Sequence, residues 1–308
     1  MSMGNGLMNP RDLEHFLAVV EHGSIGRAAE VVGITQSGLT KSIQRLEQEI
    51  GAAVFERLPR GTRPTELGRH LVQHARLVSA DLRNARSELR SLSEGLSGTL
   101  TIGAGPSWLR RLLPIAMARF LAKRPAVRVR VEGGFNARLK DMLKQGDLDF
   151  IIAACDEMEA DSDISVLPLT VDEIGVIARA DHPLLSIPCP TLEDIDSHGW
   201  ILPTRDMLQR QRLEALYHLS GKAPPRPVIE SSSISFILAM IRVSNLVSFA
   251  TNSIIDADQM TGIVTVNAPQ PRWRREAGLM CRREAPLSQC AEALAQEIEA
   301  VCHELGTN

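Results

Sequence analysis

The first fifty residues set apolar side chains at helical spacing and interrupt them with single glycines. Leu13, Phe16, Leu17 and Val20 share one face of a first helix, with Asn9 as N-cap, Pro10 at the first helical position, Asp12 in the first turn and Gly23 as the stop. A second helix starts at Ser24, buries Ile25, Ala28, Ala29 and Val32, and stops at Gly33. A third starts at Thr35, buries Leu39, Ile43, Leu46 and Ile50, and stops at Gly51. Only Gly33, Ile34 and Thr35 separate these two, which predicts a helix-turn-helix whose second helix enters the DNA major groove. The outward face of that helix shows Gln36, Ser37, Thr40, Lys41, Gln44 and Arg45. Amide and hydroxyl groups there suit base edges, and cations suit phosphates. On spacing alone, a plain helical hairpin with a solvated face stands as the alternative. The next segment, AAVFERLPRGTRPTELG, gathers Arg57, Arg60 and Arg63 around Pro59–Gly61 with no acidic residue between Arg57 and Arg63. It predicts a small hairpin wing whose Arg60 and Arg63 hold phosphates beside the groove.

The pattern then changes. Thr65 caps a helix running to about Glu94, along which Leu71, Ala75, Val78, Leu82, Ala85, Leu89, Leu92 and Leu96 follow an unbroken 4-3 alternation. A heptad seam of this length calls for a partner helix, so Leu71, Val78, Leu82, Ala85 and Leu89 are expected dimer contacts. The alternative is an amphipathic helix lying on its own domain. His70 and His74 stand at i,i+4, but HLVQH lacks the Glu of HExxH and no third ligand is near, so no metal site is expected.

From residue 99 onward, strand and helix signals alternate: a strand over 99–104, a helix over Leu109–Leu121, a strand over Val127–Val131, a helix over Ala137–Lys144 and a short buried strand over Phe150–Ala154. This is an α/β pattern, with ligands expected at the carboxyl ends of the strands. DEIGVIARADHPLLS (172–186) echoes REAGLMCRREAPLS (275–288), with Gly175 matching Gly278 and Arg179 matching Arg282. A repeat this far apart fits paired crossovers between two α/β lobes.

Composition adds limits. The 308 residues suggest two or three domains, and 44% hydrophobic with 23% charged residues exclude a disordered or fibrous chain. Net charge is −3, so any DNA affinity has to be local; residues 1–98 carry 12 Lys/Arg against 11 Asp/Glu, and the remainder is acidic. No apolar run reaches membrane-spanning length, and no secretory leader is visible. Five cysteines with no CxxC pair suit reduced thiols in a cytoplasm. The chain lacks a complete dinucleotide fingerprint, a phosphate loop and a GxSxG turn, so neither an enzyme nor a cofactor is expected.

Ser24-Ile-Gly-Arg-Ala-Ala-Glu, Thr35-Gln-Ser-Gly-Leu-Thr-Lys-Ser-Ile, Leu46-Glu, Glu49-Ile-Gly, Phe55-Glu-Arg and Pro64-Thr-Glu-Leu-Gly together resemble the LysR-type transcriptional regulators. Gly38 and Thr40 depart from the family's usual Ala and Ser. The resemblance implies a winged helix-turn-helix over 1–64, a linker and dimerisation helix over 65–97, and a two-lobed, periplasmic-binding-protein-like effector domain over 98–308. Lobe I would take about 98–166 and 270–308, and lobe II about 167–269. Implied partners are operator DNA, a small-molecule effector, further copies of the chain as dimer and tetramer, and RNA polymerase for an activator. Ser107, Trp108, Thr204, Ser232, Ser233, Phe249 and Thr251 fall where the family's strand ends face its cleft. They suit a small organic acid held by hydroxyls and free N–H groups, without a buried Arg or Lys. Two other readings stand beside this one: a redox-triggered regulator using Cys189 or Cys281, and a two-lobed binding protein or enzyme whose N-terminal helices only mediate assembly.

Overall fold

The structure, a computed structural model of the chain, describes residues 8–58, 61–94, 98–155, 161–205, 207–256, 262–283, 285 and 287–305. Its head contains α1 (Pro10–His22), α2 (Ile25–Val32) and α3 (Gln36–Ile50), closed around Leu13, Phe16, Val19, Ala28, Leu39, Ile43 and Leu46. Asn9 and Thr35 cap α1 and α3 as expected, their side chains accepting from the backbone N–H of Arg11 and Gly38. Val19, absent from the expected apolar face, is fully buried. Its helix contacts α2, α3 and the following long helix, so the buried arc of α1 is wider than one amphipathic stripe. The wing follows as β1 (Phe55–Arg57) and β2 (Thr62–Pro64), an antiparallel pair. It leans on the α1–α2 turn, where Thr62 N–H donates to the Gly23 carbonyl at 2.9 Å. Arg60 lies outside the described residues.

The long helix α4 (Glu66–Glu94) has 29 residues, and the Thr65 hydroxyl caps it by accepting from Gly68 N–H at 3.0 Å. The seam is not uniform along it. Leu71 and Ala75 close the head's own core, whereas Val78, Ala85 and Leu89 are exposed and Leu82 is half-buried. Leu71, expected as a dimer contact, therefore packs inside its own domain: the three-helix head has an open side that the start of α4 covers. A second face of α4 meets the body. Ser79 and Ala80 are buried, Arg76 donates to Gln145, Arg83 Nη2 donates to the Gly146 carbonyl at 3.2 Å, and Asp81 pairs with Arg282. Leu96 lies outside the described residues.

The body opens with β3 (Gly98–Ala104), α5 (Pro106–Arg110), α6 (Leu112–Lys123), β4 (Val127–Gly133), α7 (Asn136–Lys144) and β5 (Phe150–Ala154). The single helix expected over Leu109–Leu121 is two, broken at Arg111. Pro114 explains the break: it lacks an N–H to donate, and its ring would clash with the Arg110 carbonyl of a continuous helix. The long strand β6 (Ile164–Arg179) leads to α8 (Leu192–Asp196), β7 (Trp200–Leu202), α9 (Leu208–Leu219), β8 (Pro227–Glu230), α10 (Ile234–Val243), β9 (Ser248–Thr251), α11 (Asn252–Asp256) and β10 (Ile263–Thr265). The chain returns along β11 (Trp273–Arg282) and finishes in α12 (Gln289–Glu304).

One sheet has the order β10-β6-β11-β5-β3-β4, with β9 also on β6, while β7 and β8 pair in parallel beside it. β5 is buried at every residue because helices cover both faces of the sheet there, which explains its unbroken apolar run. The two echoing segments begin within β6 and β11, antiparallel neighbours whose register runs from Ile174 opposite Trp273 to Ile164 opposite Arg282; the echoes themselves meet at Asp172 and Arg275 and diverge from there. They link the lobes. Leu169 and Ala277 pack with the lobe I core of Leu100, Phe120, Phe150 and Leu294; Ile174 and Trp273 pack with the lobe II core of Trp200, Leu213, Tyr217 and Phe249. The changeover thus falls between Leu169 and Ile174 and between Trp273 and Ala277, several residues beyond the expected 166/167 and 269/270.

Candidate functional site

On the head, burial of Leu39, Ser42, Ile43 and Leu46 fixes which side of α3 faces outward. Gln36, Ser37, Lys41 and Gln44 are exposed on that side, in one turn-to-turn strip. Thr40 is half-buried, and its hydroxyl donates to the Gln36 carbonyl at 2.8 Å, so its methyl rather than its O–H is left to meet a neighbour. Arg45 is exposed yet committed: it donates to Asp12 through Nη2 at 2.7 Å and Nε at 3.2 Å. Asp12 also accepts from Ser42, and Ser42 contacts His15 Nδ1 at 2.6 Å. Because Ser42 has one proton and gives it to Asp12, His15 Nδ1 is the donor in that contact. Burial alone would raise the Asp12 carboxyl; hydrogen bonds from Arg45 and Ser42 outweigh it and hold the group below the usual carboxylate range. This network ties α1 to α3 and sets the angle of the outward face. The sequence reading missed it, because an Asp in a first turn looks like an ordinary helix-dipole residue. On the wing, Arg63 pairs with Glu56 across the hairpin at 2.5 Å.

In the body, a cleft of about 250 Å³ opens between the lobes. Ser107, Ser232, Phe249 and Thr251 line it, as expected. Trp108 does not: it is 2% exposed and sits in the lobe I core with Leu112 and Phe120. It follows Ser107 directly, and on a helix that step of roughly 100° turns one side chain toward the cleft and the next toward the core. Thr204 and Ser233 are also off the lining, while their neighbours Pro203, Ser231 and Ile234 are on it. Ser233 instead caps α10, accepting from Phe236 N–H at 3.3 Å. The five-residue α5 that carries Ser107 is too short to supply the helix-dipole contribution expected of an unbroken helix.

The cleft also has features the sequence reading did not find. Phe135, Ile174 and Met207 give it apolar walls, and Gln209 accepts from Trp273 Nε1 at 3.0 Å. Among the described lining residues, Arg275 is the only charged one, which corrects the expectation of a cleft without a buried cation. Its Nη2 donates to Asp172 at 3.1 Å and to Ser107 Oγ at 3.4 Å. Arg275 and Asp172 are direct cross-strand partners in the β11–β6 pair. A charge pair that spans 103 residues of chain leaves no local signal. Ser107 accepts from Arg275 and so keeps its own proton for a guest. Phe249 stacks at a tilt on Trp273, with ring centroids 5.5 Å apart, which stiffens the apolar wall. Of the two cysteines considered as redox triggers, Cys189 is exposed, and burial pushes the Cys281 thiol up, the opposite of what an oxidant-sensing thiolate needs.

Residues 10–69 match the family described as bacterial regulatory helix-turn-helix protein, lysR family, and residues 93–303 match the LysR substrate binding domain. The HTH-type transcriptional regulator GbpR of Azospirillum brasilense is 30% identical over 292 residues, covering 94% of this chain and 85% of that protein. The SDS degradation transcriptional activation protein of a Pseudomonas species is 33% identical over 290 residues, covering 92% and 93%. Among solved structures, full-length CbnR complexed with its target DNA superposes with a TM-score of 0.66 at 18% identity, covering 95% of this chain and 99% of that one.

Proposed function

The chain belongs to the LysR family of transcriptional regulators, and from that premise we propose that its α3 strip reads operator bases while its interlobe cleft takes a small organic acid as effector. The family assignment makes it a DNA-binding regulator with a small-molecule effector domain, not an enzyme. In the proposed division of labour, Gln36, Ser37 and Gln44 meet base edges, Thr40 offers its methyl, and Lys41 holds phosphate, with Arg60 and Arg63 doing the same from the wing. Arg45 takes a positioning part, since its fork is occupied by Asp12. An effector that favours one lobe arrangement shifts the spacing of the heads across a dimer or tetramer. RNA polymerase is the further partner where the protein activates, and the cytoplasm is the compartment that this DNA target implies.

The observation that carries the effector reading is the cleft itself: Ser107 and Arg275 on one wall, Thr251 and Ser232 on the other, and apolar side chains between. At about 250 Å³ it lies below the ~300–1,000 Å³ usual for drug-sized ligands, so a compact guest fits. Ser107→Ala is expected to weaken binding of that acid roughly ten- to a hundredfold, the loss of one charge-assisted hydrogen bond. Calorimetry against a panel of small acids, followed by a promoter titration, measures it; parent-like binding and response move the ligand elsewhere.

The base-reading assignment has its own test. Gln36→Ala is expected to cost roughly 1–3 kcal/mol on the operator and little on a shuffled duplex, whereas Lys41→Ala should weaken both and flatten the salt dependence by about one unit. Mobility shifts on both duplexes at several salt concentrations separate the two roles. An unchanged operator-to-shuffled ratio for Gln36→Ala overturns the first assignment.

A further inference from the structure

Arg275 combines three properties. It is the only charged residue among the described lining of the cleft, its side chain is 13% exposed, and its Nε is buried with no hydrogen-bond partner among the described residues. Its neighbour Asp172 is 4% exposed and uses one carboxylate oxygen for Arg275 and the other for the Ser253 hydroxyl of α11. The four side chains form one polar chain, Ser107–Arg275–Asp172–Ser253, which starts in lobe I, crosses both connecting strands and ends in lobe II. A guanidinium offers a two-pronged edge, Nε–H beside an Nη2–H, that matches a carboxylate. Here Asp172 engages only Nη2, so that edge is half used. The pair therefore leaves one donor without an acceptor, and a second carboxylate would reach the Nε–Nη2 edge if the guanidinium turned from Asp172 toward the cleft.

Resting on the effector reading above, we propose that Arg275 is the anchor for the effector's carboxylate and that Asp172 is its built-in competitor. In the empty cleft Asp172 neutralises the guanidinium. When an acid enters, its carboxylate takes the Nε–Nη2 edge, draws Nη2 away from Asp172, and leaves Asp172 held from lobe II by Ser253 alone. The charge of the ligand is thereby read at the crossover strands, where the lobes join. Neutral guests of the same shape fill the cleft without making that exchange, so they bind weakly and do not signal.

The probes are phenylacetate and hexanoate, with phenylacetamide and hexanamide as neutral counterparts, titrated calorimetrically into the full-length protein. The parent is expected to prefer at least one acid over its amide by roughly tenfold or more. Asp172→Asn removes the competitor and should tighten that acid by about the same factor. Arg275→Gln alone strands a buried carboxylate and endangers folding. The decisive variant is therefore the double Arg275→Gln/Asp172→Asn, which keeps the site neutral; it should bind acid and amide alike. A double variant that keeps the parental preference, or an Asp172→Asn variant that binds the acid more weakly, overturns this inference while the cleft reading survives on its Ser107→Ala test. A parent that binds neither acid overturns both.

Discussion

Leu82→Asp is expected to break the protein into smaller species and to collapse operator binding. Leu82 sits midway along the part of α4 that the head and body leave uncovered, between Val78, 41% exposed, and Leu89, 66% exposed. Apolar side chains repeating at 4-3 spacing on an uncovered helix face fit a second helix of the same kind. A carboxylate placed there loses its water without gaining a partner, at several kcal/mol per copy. Uncoupling the heads removes the effective-concentration advantage of two linked sites, so operator affinity should fall by roughly 10²–10⁴. Sedimentation velocity and mobility shifts read the two effects. An unchanged sedimentation coefficient with a folded circular-dichroism spectrum places the self-contact elsewhere.

Gly278→Ala should have the next largest effect, on the stability of the effector domain. A Cβ at Gly278 would stand 2.1 Å from the Leu167 carbonyl oxygen and 2.9 Å from Leu169 N and Pro168 Cα. These are backbone atoms of the other crossover strand, and the β6–β11 register shifts at this point, between Ala277 and Gly278. A side chain can rotate away, but a hydrogen-bonded strand cannot. The methyl should separate the crossovers and cost about 3 kcal/mol, at the upper end for overpacking. Denaturant titration measures this, with Gly26→Ala as the comparison, because nothing lies nearer than 3.8 Å to a Cβ there and α2 gains helix propensity. Equal midpoints for Gly278→Ala and the parent would show that the strands part more easily than their packing implies.

The residues that wrote their own structure were those acting over a few positions. Asn9 and Thr35 cap their helices, Gly23, Gly33 and Gly51 end them, and β5 reads as a buried strand from five apolar residues in a row. The echo between β6 and β11 gave the crossovers because a repeated pattern survives any distance along the chain. What stayed hidden depends on long-range pairing. Arg45 faces solvent by helical phase, yet Asp12, 33 residues earlier, takes its fork. Trp108 and Ser107 are adjacent on α5 and differ only in helical phase, which the packing of α5 on the lobe I core decides and their sequence neighbours do not. Arg275 looks like any alternating strand residue until Asp172 lies opposite it.

The attachment of α4 to the body fixes a frame of reference. Its contacts there, from Arg76 to Gln145, from Arg83 to Gly146 and from Asp81 to Arg282, all fall on lobe I. Among the described residues, the helix that carries the DNA-reading head is therefore braced on lobe I; under the effector reading proposed above, a turn of lobe II about the crossovers would not pull on that shaft. A ligand that swings lobe II does nothing to its own head directly; the motion acquires leverage only where lobe II bears against something else. If the effector acts through such a swing, the leverage comes from a neighbouring subunit, and a monomer holding its effector would be an engine out of gear.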